Sequence, residues 1–252
     1  CMLSIFCVNA PAPTEFYTLS LPDALPCVCI MSTAAAASAT DVSAWWNAAT
    51  AASGRAVDYV ASRTVLRIEE LDAAGAVASY EEGETRLDWS RPGPAVVVGR
   101  AEKNGKDVSD DWRKRYAKAA KDAASGDDDS KRGPPAGFDA TPFDPKYAKA
   151  LKLGAPRPAG QGIEVPYVIT TDGGPVEGVA RFSGTGSPVM ASQSWTKPPA
   201  FVSTMSSSIR YAYHDGVLVV SGMDIEGEAS ILFIKKRFRM RFEFSDWRRQ
   251  SK

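Results

Sequence analysis

The chain carries only four cysteines, Cys1, Cys7, Cys27 and Cys29, and nothing after residue 29 has a thiol. A structural disulfide, a zinc cage and a thiol nucleophile are therefore excluded from the bulk of the protein. Cys27-Val28-Cys29 is one residue too tight for a Cys-x-x-Cys motif, so no metal role is assigned to it. Histidine occurs once, as His214 in the turn-like Tyr213-His214-Asp215-Gly216, which leaves no imidazole cluster for a metal and no obvious general base. There is no Gly-x-Ser-x-Gly elbow, and Gly184-Thr185-Gly186-Ser187 follows a strand pattern without opening a helix, which marks a turn. Long apolar runs are missing as well: none approaches the roughly 20 residues of a spanning helix, so the chain is not expected to be an integral membrane protein. Charge of one sign is also lacking. Thirty basic residues balance thirty acidic ones, which gives no electrostatic footprint for nucleic acid or an anionic membrane surface.

What the chain does contain is apolar alternation. Its 44% apolar content is enough for a sizeable core. A first helix is expected from Asp41 to about Gly54, with Val42, Trp45, Trp46 and Ala49 at i, i+3, i+4 and i+7. From Val57 the period shortens to two. Strands are expected over Val57 to Leu71, Val77 to Trp89 and Ala95 to Lys103, joined by turns at Ala74-Gly75, Arg91-Pro92-Gly93-Pro94 and Asn104-Gly105. A basic surface helix follows over Ser109 to Lys121, its first turn acidic as the macrodipole favours. Ser125 to Pro135 is a polar, proline-containing break and reads as a mobile insertion at about 124–136. Its Asp127-Asp128-Asp129 lacks the alternating ligands of a calcium loop. A second break spans Gly154 to Gly162. Strands are then expected over Ile163 to Thr171, Val176 to Ser183, Pro188 to Trp195, Phe201 to Tyr213, Val217 to Glu226 and Ala229 to Trp247. In the last, Phe238, Met240, Phe242 and Phe244 alternate with Arg237, Arg239, Arg241 and Glu243, so one face is buried and the other wet. The fold class is accordingly mainly β with a few helices (α+β), a curved antiparallel half-open β-barrel covered by helices.

Of the carboxylates, Glu69, Glu70, Glu81, Glu82 and Glu84 lie on strands whose alternation turns most of them outward, and none is singled out as a catalytic pair. The large side chains form the more distinctive group. Trp45, Trp46, Tyr59, Leu66, Trp89, Phe182, Trp195, Tyr211, Phe233 and Phe242 are the candidate lining of an apolar cleft between a curved sheet and its helices. For any one of them, core packing is the competing reading.

The amino-terminal stretch stands apart. Phe16 to Pro26 resembles the conceptual translation of a short-read sequencing adapter, with Pro22 where His and Cys27 where Ile would stand. Two prolines interrupt its apolar run, and it has no sustained periodicity. Ala37-Ser38-Ala39 has the small-x-small pattern of a signal-peptidase site. Residues 1–39 are therefore expected to be a non-native extension and signal-peptide remnant, whose deletion leaves stability unchanged, and 40–252 a single domain. The expected location is the periplasm; if Met31 is the true start, it is the cytoplasm.

The order of elements, with Lys103-Asn104-Gly105-Lys106 leading into a basic helix and Leu232-Phe233-Ile234-Lys235-Lys236-Arg237-Phe238 opening a terminal strand that ends Phe244-Ser245-Asp246-Trp247, resembles uncharacterised envelope proteins related to the outer-membrane lipoprotein-sorting carriers. The resemblance covers about Ala44 to Arg249. It implies a half-open barrel with helices over its open side and a cavity for lipoprotein acyl chains, though no carrier cavity residue matches a position here. The expected function is non-enzymatic binding of a lipid, a lipoprotein acyl chain or another apolar partner, without a cofactor or metal. The alternatives are a structural or protein-interaction module of the envelope with a filled core, and a hydrolase using paired carboxylates such as Glu69, Glu81, Glu84 or Glu226.

Overall fold

The computed structural model describes residues 39–90, 95–125, 140–198, 202–231 and 234–250. The mobile insertion expected at about 124–136 lies mostly outside them, as do Phe233, the Arg91 to Pro94 turn and nearly all of the amino-terminal extension. Among the described residues two α-helices, α1 (Ala39–Gly54) and α2 (Ser109–Ser125), accompany twelve strands. These are β1 (Tyr59–Leu71), β2 (Val77–Asp88), β3 (Ala95–Lys103), β4 (Lys106–Asp107), β5 (Leu151–Leu153), β6 (Arg157–Ala159), β7 (Gly162–Thr171), β8 (Gly174–Phe182), β9 (Pro188–Trp195), β10 (Val202–His214), β11 (Val217–Ile231) and β12 (Ile234–Arg249). All belong to one antiparallel sheet in the order β4-β3-β2-β1-β12-β11-β10-β9-β8-β7-β5, with β6 also on β7. Among the described residues the sheet does not close. The pairing of β1 with β12 joins two meanders, and β5 steps past β6 to pair with β7.

Tight turns set the register. Asn104-Gly105 and Asp215-Gly216 both have positive φ at each residue, the left-handed pair that a two-residue hairpin requires. The expected strands are otherwise recovered within a few residues, with three differences. Val57 belongs to a 3-10 turn over Arg55–Asp58 and is 81% exposed, so β1 starts two residues later. The second break contains one short strand, β6, and another, β5, precedes it; both are laid on β7. The break left at Gly227-Glu228, between the expected strands ending at Glu226 and starting at Ala229, is strand: β11 runs on to Ile231, and Gly227 lies opposite Phe238, where a side chain would come 2.6 Å from its ring. The missing Cβ is a packing requirement here and not a turn signal.

Directly paired residues of an antiparallel ladder point to the same face. One row can therefore be followed across nine strands: Val165, Ala180, Ala191, Ile209, Met223, Phe242, Leu66, Gly83 and Ala101. Every member is apolar or glycine, and both helices sit on this face. At one end α1 buries Val42, Trp46, Ala49 and Ala52 among Val165, Ala180, Ala191 and Ile209. At the other, Trp112 of α2 lies over Gly83 and packs with Val98, Ala101 and Leu66. Each fully buried large apolar side chain contributes about 1.5–3 kcal/mol, so the α1 end, with many more of them, dominates stability.

The row offset by two residues carries Tyr167, Gly178, Gln193, Ser207, Ile225, Met240, Ile68 and Glu81 on the same face. Among the described residues the opposite face has no helix. It carries arginines, carboxylates and serines, as the alternation of β12 requires.

Candidate functional site

Between the two helices the helix-bearing face is uncovered among the described residues. Its floor comes from β11, β12 and β1: Met223, Met240, Phe242, Phe244, Leu66 and Ile68, all partly exposed. Met223, Met240 and Phe242 touch the α1 core, whereas Leu66 touches the α2 cluster. Phe242 and Phe244 lie stacked with centroids 6.0 Å apart. The floor is thus an apolar strip joining two separately packed helices, and it presents methionine and phenylalanine, side chains that adapt to varied apolar surfaces.

A buried carboxylate borders the strip on the α2 side. Glu81 pairs in register with Ile68 and is 3% exposed. Its Oε1 accepts from Trp112 Nε1 at 2.7 Å and from Arg115, and Lys103 Nζ lies 3.6 Å from Oε2. Burial pushes this carboxyl up, but the hydrogen bonds from Arg115 and Trp112 and the nearby charges outweigh it, holding the group below its ordinary value. At the start of α2, Ser109 Oγ accepts from Ala101 N at 2.8 Å. Glu81 and Ser109 are therefore the polar rivets that fix α2 beside the floor.

The opposite face is an ion-pair lattice. Arg239 contacts Glu69 at 3.0 Å and Glu226 at 2.6 Å; Arg241 contacts Asp224 at 2.7 Å. Arg63 contacts Glu84 at 2.7 Å and Arg67 contacts Glu82 at 2.8 Å. Glu69 is fully buried within it, and burial raises its carboxyl above the ordinary value although Arg239 opposes this. The outward orientation expected for most of the strand carboxylates thus fails for Glu69 and Glu81, which sit inside on opposite faces. The sheet separates them, and each of Glu69, Glu81, Glu84 and Glu226 is bound to an arginine.

The ten aromatic and apolar candidates divide by depth. Trp46, Phe182, Trp195 and Tyr211 belong to the buried core, and Trp45 packs against it. Leu66 and Phe242 lie on the open floor. Trp89 reaches β1 by donating from Nε1 to Ser62 Oγ at 3.1 Å, and Tyr59 sits edge-on to His214, 5.8 Å away. Phe233 is outside the described residues.

Sequence reading passed over Phe143. This fully buried ring lies 4.9 Å from Trp46, 5.7 Å from Phe182 and 5.1 Å from Tyr211, and it fills the space beneath α1. It stands in a loop with no periodicity, and only Asp144-Pro145, which opens a 3-10 turn capped by the Asp144 side chain, hints at order there. Three buried polar atoms in this core, Trp46 Nε1, Ser207 Oγ and Tyr211 OH, have no hydrogen-bond partner among the described residues. Tyr167, in contrast, donates to Gln193 Oε1 at 2.8 Å, and Gln193 Nε2 donates to Ala140 O.

No protein family and no curated protein matches the chain. Among solved structures it shows similarity to MucB in complex with MucA(peri), at 9% identity over 84% of this chain and all of that one, with a TM-score of 0.21. The Pseudomonas aeruginosa MucA/MucB complex gives 12% identity, the same coverages and a TM-score of 0.21. The di-domain ARO/CYC StfQ from the steffimycin biosynthetic pathway gives 9% identity over 68% of this chain and 58% of that one, with a TM-score of 0.18. At these TM-scores the backbones diverge too far for any of the three to bear on the function of this chain. No helix among the described residues is long and apolar enough to cross a membrane.

Proposed function

We propose that the protein is a non-enzymatic envelope binding protein of half-barrel shape, which holds a lipid, a lipoprotein acyl chain or a similarly apolar group on the strip between α1 and α2. The observation that carries this reading is the partly exposed set Leu66, Ile68, Met223, Met240, Phe242 and Phe244 on the helix-bearing face. It supplies a contiguous apolar surface on a part of that face that α1 and α2 leave bare among the described residues, and binding there would return the strip to an apolar environment. The resemblance to lipoprotein-sorting carriers and the Ala37-Ser38-Ala39 pattern point to the same compartment, the periplasm.

The filled interior favours a second reading, a structural or protein-interaction module. Trp46, Phe143 and Phe182 pack ring against ring beneath α1, so a ligand would lie on the sheet and not inside the core. Titration with the fluorescent fatty acid cis-parinaric acid separates the two. Saturable binding that Phe242→Glu weakens at least tenfold supports the acyl reading. An unchanged emission at all concentrations would reject it and leave the protein-partner module.

A further inference from the structure

The apolar strip has two unlike ends. On the helix-bearing face of β1 the alternation runs Ser62, Thr64, Leu66, Ile68, Glu70, so Ser62 marks one end of the strip and Glu70 the other. At the Ser62 end the closing group is an indole. Ser62 is buried, and its hydroxyl accepts from Trp89 Nε1 at 3.1 Å, which ties the ring to the row beyond Thr64 and Phe244. Leu87, two residues after Thr85 on the same face and partly exposed, adds to this apolar end. Asp246, next after Phe244 in the β12 alternation, has a left-handed backbone (φ 54), and its charge acts on Arg63 of the opposite face. At the Glu70 end the closing group is an ion pair. Glu70 faces Phe238 in register, Lys236 Nζ donates to its carboxylate, and the two side chains keep 32% and 46% of their exposure. The ends stand about 27 Å apart along β1 at about 3.4 Å per residue, which gives one extended acyl chain room to lie between them.

We propose that the strip is directional: a single acyl chain lies along β12 with its methyl end against Trp89 and Leu87 and its head group at the ion pair of Glu70 and Lys236. The inference rests on the acyl reading of the strip and adds to it an orientation and the residue that stops the chain. Hydration decides the direction. A head group laid against Trp89 would lose water and find no donor in exchange, because the one N–H of that indole is already given to Ser62. A methyl end placed there is covered by apolar atoms instead. At the other end Lys236 gives one N–H to Glu70, which leaves ammonium donors and open water for the head group. The pair offers both a donor and an acceptor, so selection acts through solvation and not through net charge.

The probes are stearic acid bearing a nitroxide beside its carboxylate and stearic acid bearing one beside its methyl end. Binding of each is measured first, by displacement of cis-parinaric acid. Proximity is then read in the indole N–H region of a heteronuclear NMR spectrum, where the Trp89 signal is identified by its loss in Trp89→Phe. At saturation the methyl-end nitroxide is expected to erase that signal and the head-end nitroxide to leave it visible. Erasure by the head-end probe alone would reverse the orientation, and equal broadening by both would mean that the chain has no fixed direction. Either result overturns the proposal while leaving the acyl reading in place. Displacement of cis-parinaric acid by neither probe, or no binding of cis-parinaric acid at all, would overturn the acyl reading and the orientation with it.

Discussion

At the scale of single residues, burial depth decides which side chains hold the fold and which remain available. Phe182→Ala removes a ring with no exposure and should cost about 3–5 kcal/mol in chemical denaturation. Phe242→Ala, which the alternation of β12 alone would place in the same range, should cost clearly less, because its ring is part exposed. Equal losses would show that the strip is core. Tyr211 gives a sharper case, since its hydroxyl is buried without a partner among the described residues. Tyr211→Phe should stabilise the protein or leave it unchanged, whereas a loss of about 1 kcal/mol or more would reveal a hydrogen bond to that hydroxyl. Glu69 makes a pH prediction. Its raised carboxyl value means that its contribution is fully present below the ordinary carboxylate range and is lost as pH rises through the folded-state value. The stability gained by Glu69→Gln should therefore be larger at pH 7 than at pH 4; the reverse order would show that Arg239 outweighs burial. Residue types were legible in the sequence, and the two-residue period placed Phe238 inward. Depth was not legible, because whether Trp46 or Leu66 is covered depends on where α1 and α2 land, and no local pattern encodes that.

At the scale of elements, the strands and turns were readable where alternation met a turn pair with positive φ, as at Asn104-Gly105 and Asp215-Gly216. They were misread where glycine served packing, as at Gly227, and in the loop that delivers Phe143. Helix α2 is held differently from α1: three buried residues form its small cluster, and Glu81 anchors it through Trp112 and Arg115. Because the Glu81 carboxyl lies below its ordinary value, its stabilising share is present above the usual carboxylate range and is lost as pH falls through the folded-state value. Hydrogen exchange, corrected for intrinsic rates, should show α2 losing protection in acid well before β7 to β10, and Glu81→Gln should produce the same loss at neutral pH. Uniform loss across both regions would mean that α2 and the main core unfold together.

At the scale of the molecule, one face of an unclosed sheet carries two helices and an apolar strip, and the other carries a lattice of paired charges. That division follows from a period of two sustained over strands of up to 16 residues. The pairing of β1 with β12, which puts Leu66 beside Phe242, unites the two halves and creates the strip; sequence order alone does not announce a contact between the first strand and the last. The most direct test of the strip is photo-crosslinking with fatty acids bearing a diazirine at successive chain positions, followed by peptide mapping. The account predicts adducts concentrated on Leu66, Ile68, Met223, Met240, Phe242 and Phe244. Adducts on Val96 and Val97 instead, or none above an unfolded control, would contradict it.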